Sequence, residues 1–211
     1  MWSLTGQEDE GEYRISKNRL EALFDGIFAF AMTLLVTGLV IQPPSYSEAA
    51  AELPSLVAAM HPEFFSFLIA FFVLASFWLV HHRQFSFVRI VDPALVRINL
   101  LILAFVVLMP FTTNISGDYS DVQIAVVLFH ANMFVLGLLF LIHWYYLTRN
   151  PRLTSAEISR QAAANGIRRA LVVLFVSWLG LVISFASPSW SMAAYMLILP
   201  MFFIIRRYFS A

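Results

Sequence analysis

The sequence contains no cysteine and few charged residues, and each shortage excludes a class of function. Without cysteine the chain forms no disulfides, no thiolate metal sites and no catalytic thiol. Charged residues make up only 12% of the 211 residues, and their formal charges sum to zero. A chain with that balance exerts no long-range attraction on nucleic acid, so we expect no nucleic-acid partner.

Sequence motifs for catalysis are also missing. The chain carries no glycine-rich phosphate loop, no metal-ligand spacing, and no order of serine, histidine and aspartate that is typical of a hydrolase. We therefore predict no catalytic residue, no bound metal and no enzyme activity. The filter sequence TVGYG of many potassium channels is absent as well. Any ion selectivity must therefore come from side chains or from a hydrophobic constriction.

Apolar residues, by contrast, are abundant enough to set the fold class. They make up 60% of the chain, with 21 phenylalanines, and the mean hydropathy is +0.78. This composition predicts an all-α integral membrane protein. The polar, acidic first residues do not resemble a signal peptide, so the first span should be retained. We predict a single six-helix transmembrane domain over residues 1–211, with spans at 19–42, 63–83, 96–114, 122–147, 167–186 and 190–205.

The basic residues predict the orientation of these spans. All 13 Lys and Arg residues fall on one side of the six-span layout. The loops of the opposite side carry only acids, namely Glu48, Glu52, Glu63, Asp118 and Asp121. The positive-inside rule then places both termini in the cytoplasm. The chain is expected to be a multi-pass protein of the cell membrane that contacts membrane lipid.

The first span has the most informative pattern of the six. Asn18 and Glu21 fit a capping box, which predicts the start of the helix. At 100° per residue, one stripe of the helix contains Leu23, Ile27, Phe30, Leu34, Thr37 and Ile41, with Gly26 and Thr33 at its edge. Asp25 lies on nearly the opposite face from this stripe. Two interpretations fit this pattern. The helix is packed on all sides by ordinary neighbours, or the stripe lines a symmetric pore and Asp25 points back into the supporting helices.

Asp25 needs a partner or water, because a carboxylate at the centre of a membrane helix costs about 2.5 kcal/mol or more. Spans one and two run antiparallel, so Trp78, His81 and His82 should lie at the same end as Asp25. An N–H from Trp or His could then donate to the carboxylate. The same cluster also fits a purely structural anchor of the helix end. Other polar residues of the spans should be buried and hydrogen-bonded: Asn99, Asn132, His130 and His143.

Three motifs, in order, resemble the transmembrane protein 175 family of potassium channels. Arg19-Leu-Glu-Ala-Leu-Phe-Asp25-Gly resembles the first-helix motif of that family, which is Arg, three variable residues, then Phe-Ser-Asp. The likeness continues in the second span with Phe77-Trp78-Leu-Val-His81-His82-Arg83-Gln-Phe85, and in the third with Asn99-Leu-Leu-Ile-Leu leading to Pro110-Phe111. The segment IFAFAMTLLV, which directly follows the first-helix motif, resembles that of the prokaryotic members.

The resemblance implies a potassium-permeable, weakly selective cation channel, in which the first helix of each subunit lines the pore. Prokaryotic members with one six-helix unit are homotetramers, and they use no cofactor besides the permeant K⁺ ions. By position, Phe30 matches the narrowest ring, Leu34 the next ring, Thr37 an outer leucine, and Thr33 a polar residue implicated in selectivity. The network that braces the pore helix matches Arg19, Asp25, Trp78 and His81.

The chain departs from the family pattern at three places. Leu23-Phe24 replaces Phe-Ser, so one hydroxyl of the bracing network is missing. Phe30 replaces an aliphatic residue and could narrow the constriction or form a different gate. Thr37 weakens the outermost apolar ring.

Two other functions remain compatible with the residues. A proton-coupled secondary transporter would use Asp25 and His81 as a proton relay and would show a saturable, pH-driven flux. Such carriers usually show repeats and broken helices at the midplane, which are not evident here. A membrane scaffold would show no flux at all.

Overall fold

The structure, a computed structural model, describes residues 15–41, 45–155, 157–198 and 200–201. Every regular element in these ranges is helical, apart from an isolated β-bridge between Val88 and Thr154. The α-helices are α1 Lys17–Leu34, α2 Ala49–Ala59, α3 His61–Phe85, α4 Pro93–Asp118, α5 Gln123–Arg149, α6 Arg160–Ser184 and α7 Pro188–Ser191. Short 3₁₀ segments follow three of them, at Leu35–Gly38, Pro151–Leu153 and Met192–Leu197. The all-α prediction is confirmed.

Five of the described helices are long and apolar enough to cross a membrane. They are α1 with its 3₁₀ extension (Lys17–Gly38), α3, α4, α5 and α6. α2 is a shorter apolar helix in the connection after α1, where the sequence suggests a short surface helix. The sixth predicted span, 190–205, begins within α7 and includes the 3₁₀ segment Met192–Leu197 and helical residues at 198 and 200–201, while residues 199 and 202–205 lie outside the described ranges. The sixth crossing therefore stays a prediction.

Two helix starts differ from the prediction. α1 is capped by Ser16, whose side chain accepts a hydrogen bond from the backbone N–H of Arg19, so the predicted cap at Asn18 is wrong. α6 begins at Arg160, where Ser159 Oγ accepts from the N–H of Ala162 at 3.1 Å. Asn165-Gly166, a pair that by sequence alone predicts the end of a helix, lies inside α6 instead.

Pro110 does not end α4, although the sequence predicts a kink or a stop there. The helix continues for two turns to Asp118. Proline removes one backbone hydrogen bond, and in a membrane helix side chains of neighbouring residues and helices can satisfy the freed groups. Thr113 Oγ1 donates to the carbonyl of Met109 at 2.7 Å. Asn132 Nδ2 of α5 donates to the carbonyl of Phe105 at 3.2 Å, next to the Val106 carbonyl that Pro110 frees, so a side chain of α5 is bonded to α4 at this point.

Two buried apolar clusters hold the helices together. The larger one joins all five long helices and includes Phe24 and Phe28 of α1 and Phe140 of α5. The smaller one lies at the arginine-rich end, where Leu20 of α1 packs with Phe85 and Leu95. Because lipid tails are as apolar as these side chains, the gain comes from close packing rather than from removal of water. α1 is thereby fixed along one side, against α3 and α4.

Candidate pore-lining helix and its bracing network

α1 has one buried side and one exposed side within the single chain. Its buried residues are Leu20, Phe24, Phe28 and Ala31, followed by Leu35 in the 3₁₀ extension. The opposite side presents Gly26, Phe30 and Thr33, and Phe30 is 63% exposed. An α-helix turns by 100° per residue, so the two sets fall on opposite sides of one cylinder. α1 is therefore packed on one side by α3 and α4, and among the described residues nothing covers its other side.

The four predicted pore residues lie together on or beside the exposed side. Phe30, Thr33 and Thr37 are exposed and Leu34 is half-buried. Thr33 Oγ1 donates to the carbonyl of Phe30 at 2.8 Å, and Thr37 Oγ1 donates to the carbonyl of Leu34 at 2.7 Å. Each hydroxyl proton is therefore held by the backbone, and the oxygen lone pairs remain available as acceptors.

The outer end of the predicted stripe is not regular α-helix. The α-helix ends at Leu34, and Leu35–Gly38 forms a 3₁₀ segment, so the predicted continuous helix to residue 42 is wrong as far as it can be followed. A 3₁₀ helix advances by about 120° per residue because it has 3.0 residues per turn. Thr and Ser hydroxyls that bond preceding carbonyls favour such departures. The 100° spacing therefore does not place Thr37 or Ile41.

Asp25 is bonded to α3 by tryptophan. Trp78 Nε1 donates to Asp25 Oδ1 at 2.8 Å. One turn towards the arginine-rich end, Glu21 Oε1 lies 3.8 Å from His82 Nδ1. The first contact is charge-assisted and fixes the rotation of α1 against α3. Of the two donor types suggested by the sequence, the structure uses the indole.

His81 lies in a different network. It is 1% exposed, and its ring stacks on Phe24 with centroids 3.3 Å apart. Asn99 Nδ2 donates to the carbonyl of Leu95, so Asn99 Oδ1 is the acceptor for His81 Nε2–H at 2.9 Å. His81 thus joins α3 to α4 behind the pore-facing candidate residues. Among the described residues no hydrogen bond links His81 to Asp25, so the direct relay of a proton carrier is not formed.

Arg19 is not brought to the other predicted members of the network. Its backbone N–H bonds Ser16, and the residue is exposed. In the part of the chain that is described, no ion pair joins its guanidinium to Asp25. This agrees with the helical spacing, which places Arg19 on the stripe side and Asp25 on the other.

The polar residues expected to be buried in the spans are buried and bonded. His143 Nδ1 donates to Gln84 Oε1 at 2.6 Å, a partner the sequence did not suggest because Gln84 follows basic residues at a span end. Ser191 donates its own proton to Pro188, so His130 Nε2 donates to Ser191 Oγ at 2.9 Å. His130 Nδ1 then accepts from the Tyr195 hydroxyl at 3.1 Å.

Comparison with known proteins agrees with this arrangement. Residues 19–110 match the model of the family described as "Endosomal/lysosomal potassium channel TMEM175". A potassium channel of Streptomyces collinus is 34% identical over 158 residues, which cover 72% of this chain and 75% of the relative. A potassium channel of Chamaesiphon minutus is 29% identical over 145 residues, which cover 67% of this chain and 71% of the relative. TMEM175 of Danio rerio, named as a proton channel, matches over 59% of this chain and 26% of its own length.

A solved structure shows the same fold. It is the crystal structure of a TMEM175 homologue from Chamaesiphon minutus, with a TM-score of 0.75, 24% identity, and coverage of 88% of this chain and 95% of that chain. The matched relatives and the fold are those of ion channels rather than enzymes, and the protein is a multi-pass membrane protein. On the identity with the Streptomyces protein and its coverage, the chain belongs to the TMEM175 family of potassium channels.

Proposed function

We propose that this protein is a potassium-permeable, weakly selective cation channel whose pore is lined by α1 from each subunit of a homotetramer. The observation that carries the proposal is the two-sided character of α1. One side is packed against α3 and α4, while the other presents Phe30, Thr33 and Thr37, which no described part of the chain covers. Four such helices around an axis would place Phe30 and Leu34 in successive apolar rings.

The proposed topology has six crossings with both termini in the cytoplasm. The arginine-rich loops between α3 and α4 and between α5 and α6 would then face the cytoplasm. The names of the bacterial relatives support potassium as the permeant ion.

Selection in this pore would involve no chemical step. A ring of Phe30 side chains would form a hydrophobic neck, and the cost of removing water from an ion in the neck would set the barrier. The Thr33 oxygen, whose proton is engaged by the backbone, would offer acceptor lone pairs to a partly dehydrated cation. Side chains would thus replace the carbonyl rings of channels that carry the TVGYG filter.

The test is the reversal potential of purified protein in a planar bilayer under a K⁺/Na⁺ gradient. The wild type should show unitary currents and a reversal potential shifted towards that of K⁺. Phe30→Ala should widen the neck, raise the Na⁺ leak and move the reversal potential towards zero. Phe72→Ala is the matched control, because Phe72 on α3 is 64% exposed and Phe30 is 63% exposed.

Unchanged permeability ratios in Phe30→Ala would remove Phe30 from the filter. A shift of equal size in Phe72→Ala would show that the effect is not specific to the proposed stripe. A saturable flux driven by a pH gradient, without unitary currents, would indicate a carrier.

A further inference from the structure

A basic cleft lies at the arginine-rich end of the bundle. It is formed by two loops, residues 86–92 between α3 and α4 and residues 150–155 between α5 and α6. The loops are bonded to each other through the bridge of Val88 and Thr154. Arg89 donates its backbone N–H to the carbonyl of Leu153 at 2.7 Å, and Ser155 donates to that of Phe87 at 2.8 Å. Backbone hydrogen bonds between the two loops therefore hold the walls of the cleft together.

The lining of the cleft is partly cationic and partly apolar. It has a volume of about 640 Å³, which lies within the roughly 300–1,000 Å³ typical of ligand sites. Three arginines line it, Arg89, Arg97 and Arg152, and Asp92 is the one acid among its described lining residues. Most of the remaining lining side chains are apolar, among them Ile15, Ile90 and Val96.

Asp92 can offset only one of the three arginine charges in the cleft. Its Oδ1 accepts the backbone N–H of Leu95 at 2.8 Å, which caps α4, and its Oδ2 accepts the Tyr146 hydroxyl at 2.6 Å. The same Oδ2 lies 3.7 Å from Arg152 Nη2. Within the described ranges Arg89 and Arg97 have no carboxylate partner. Three arginines and one carboxylate leave a net charge of +2 in the cleft.

We propose that this cleft binds the headgroup of an anionic phospholipid from the leaflet on the side of the arginine-rich loops. The phosphate would lie against Arg89 and Arg97, and the glycerol and first acyl carbons along Ile90 and Val96. Basic pockets between transmembrane helices are suited to such headgroups, and guanidinium groups match phosphate oxygens in geometry. A soluble anion would use the charge but not the apolar part of the lining. Ile15 lies two residues before α1, so a lipid here would contact the approach to that helix.

The competing occupant is the chain itself. Residues 8–12, upstream of Ile15, include Glu8, Asp9, Glu10 and Glu12. These acids could neutralise the same arginines. The apolar lining and the position at the ends of membrane spans favour lipid, and the experiment separates the two.

The experiment titrates full-length protein in detergent with phosphatidylglycerol and with phosphatidylcholine, and reads bound lipid by native mass spectrometry. We expect tighter binding of phosphatidylglycerol. Each arginine near a membrane surface contributes a factor of about five to the affinity for anionic lipid. The double variant Arg89→Gln/Arg97→Gln should therefore bind about 25-fold more weakly. Neither arginine has a carboxylate partner among the described residues, so the double variant leaves no described carboxylate without its ion-pair partner.

The control variant is Arg149→Gln. Its guanidinium lies at the same end of the bundle, over the Tyr145 ring at 5.2 Å from the centroid, and outside the described cleft lining. An unchanged affinity in Arg149→Gln supports the site. The proposal is overturned if the double variant binds phosphatidylglycerol like the wild type, or if Arg149→Gln loses as much affinity.

Two further arms identify the occupant. If soluble glycerol phosphate binds as tightly as phosphatidylglycerol, the cleft is a site for free anions and the lipid proposal fails. If a variant lacking residues 2–12 gains tenfold or more in affinity, the acidic residues occupy the cleft in the full chain, and the proposal fails as well. The lipid site is supported if glycerol phosphate binds much more weakly than phosphatidylglycerol and if removal of residues 2–12 changes the affinity less than tenfold.

Discussion

The bond between Trp78 and Asp25 gives the sharpest prediction about the proposed pore helix. Replacing Trp78 by Phe keeps an aromatic ring and removes the N–H that donates to Asp25 Oδ1 at 2.8 Å. Hydrogen bonds to charged groups contribute about 1.5–3 kcal/mol, whereas measured bonds between membrane helices average about 0.6 and reach about 1.7 kcal/mol. Asp25 is exposed within the single chain, which favours the lower part of this range. We expect Trp78→Phe to lower the free energy of unfolding by about 1–1.5 kcal/mol.

A double-mutant cycle separates the contribution of the Asp25 charge to stability from the contribution of the hydrogen bond itself. Asp25→Asn retains an Oδ1 acceptor, so Trp78→Phe in that background should remove only a neutral bond, costing about 0.6 kcal/mol. The coupling between the two substitutions should then be about 0.5–1 kcal/mol. Unfolding would be followed by far-ultraviolet circular dichroism in mixed micelles, because the substitution itself changes the tryptophan fluorescence.

Trp178→Phe is the matched control for this cycle. Trp178 is 51% exposed on α6, and its indole donates no hydrogen bond within the described part of the chain. The control should change stability by less than about 0.5 kcal/mol. Equal effects of Trp78→Phe and Trp178→Phe would refute the view that the Asp25 bond holds α1.

Two further substitutions test the packing behind the proposed pore helix. Gly180→Ala should destabilise the protein by about 1–3 kcal/mol in the same unfolding assay, because the new Cβ would lie 2.5 Å from Cε1 of His130, which is bonded on both sides. Gly26→Ala is its control, since apart from the backbone of α1 itself no described residue lies within 4 Å of that Cβ, and a destabilisation as large as that of Gly180→Ala would contradict the explanation. Asn99→Leu should cost about 1–3 kcal/mol by leaving the buried His81 N–H without its acceptor, and a neutral result would show that His81 finds another partner.

The sequence predicts the five long apolar helices and the helix that bonds Asp25 because both depend on simple spacing. His81 and His82 are adjacent, so a helix points them about 100° apart. The structure accordingly buries His81 against Asn99 and leaves His82 exposed near Glu21. The sequence indicates that a Trp or His of the second span donates to Asp25. It does not distinguish between the two residue types, because that depends on the rotation of α3 against α1.

Helix ends were predicted less well, because glycine and proline act there through tertiary contacts. Asn165-Gly166 fits a helix stop locally, yet a Cβ at Gly166 would collide with the indole of Trp144, which donates to the Ala163 carbonyl at 3.0 Å. This glycine permits close approach of α6 to α5 rather than ending the helix. α4 continues past Pro110, and Asn132 of α5 bonds the carbonyl of Phe105, one residue before the carbonyl that the proline frees. Neither contact can be read from local sequence.

The position of Asp25 argues that its own flank of α1 does not face lipid. An exposed apolar side alone would suit lipid as well as a pore, and the threonine hydroxyl protons are already engaged by backbone carbonyls. Asp25, however, is exposed in the single chain and has one described hydrogen-bond donor, Trp78. A carboxylate facing hydrocarbon costs about 2.5–3.5 kcal/mol at the bilayer centre and less near an interface. One indole bond recovers only part of that cost, so we expect water or protein from another copy at this flank of α1, and the tetramer proposed above would supply the protein contact.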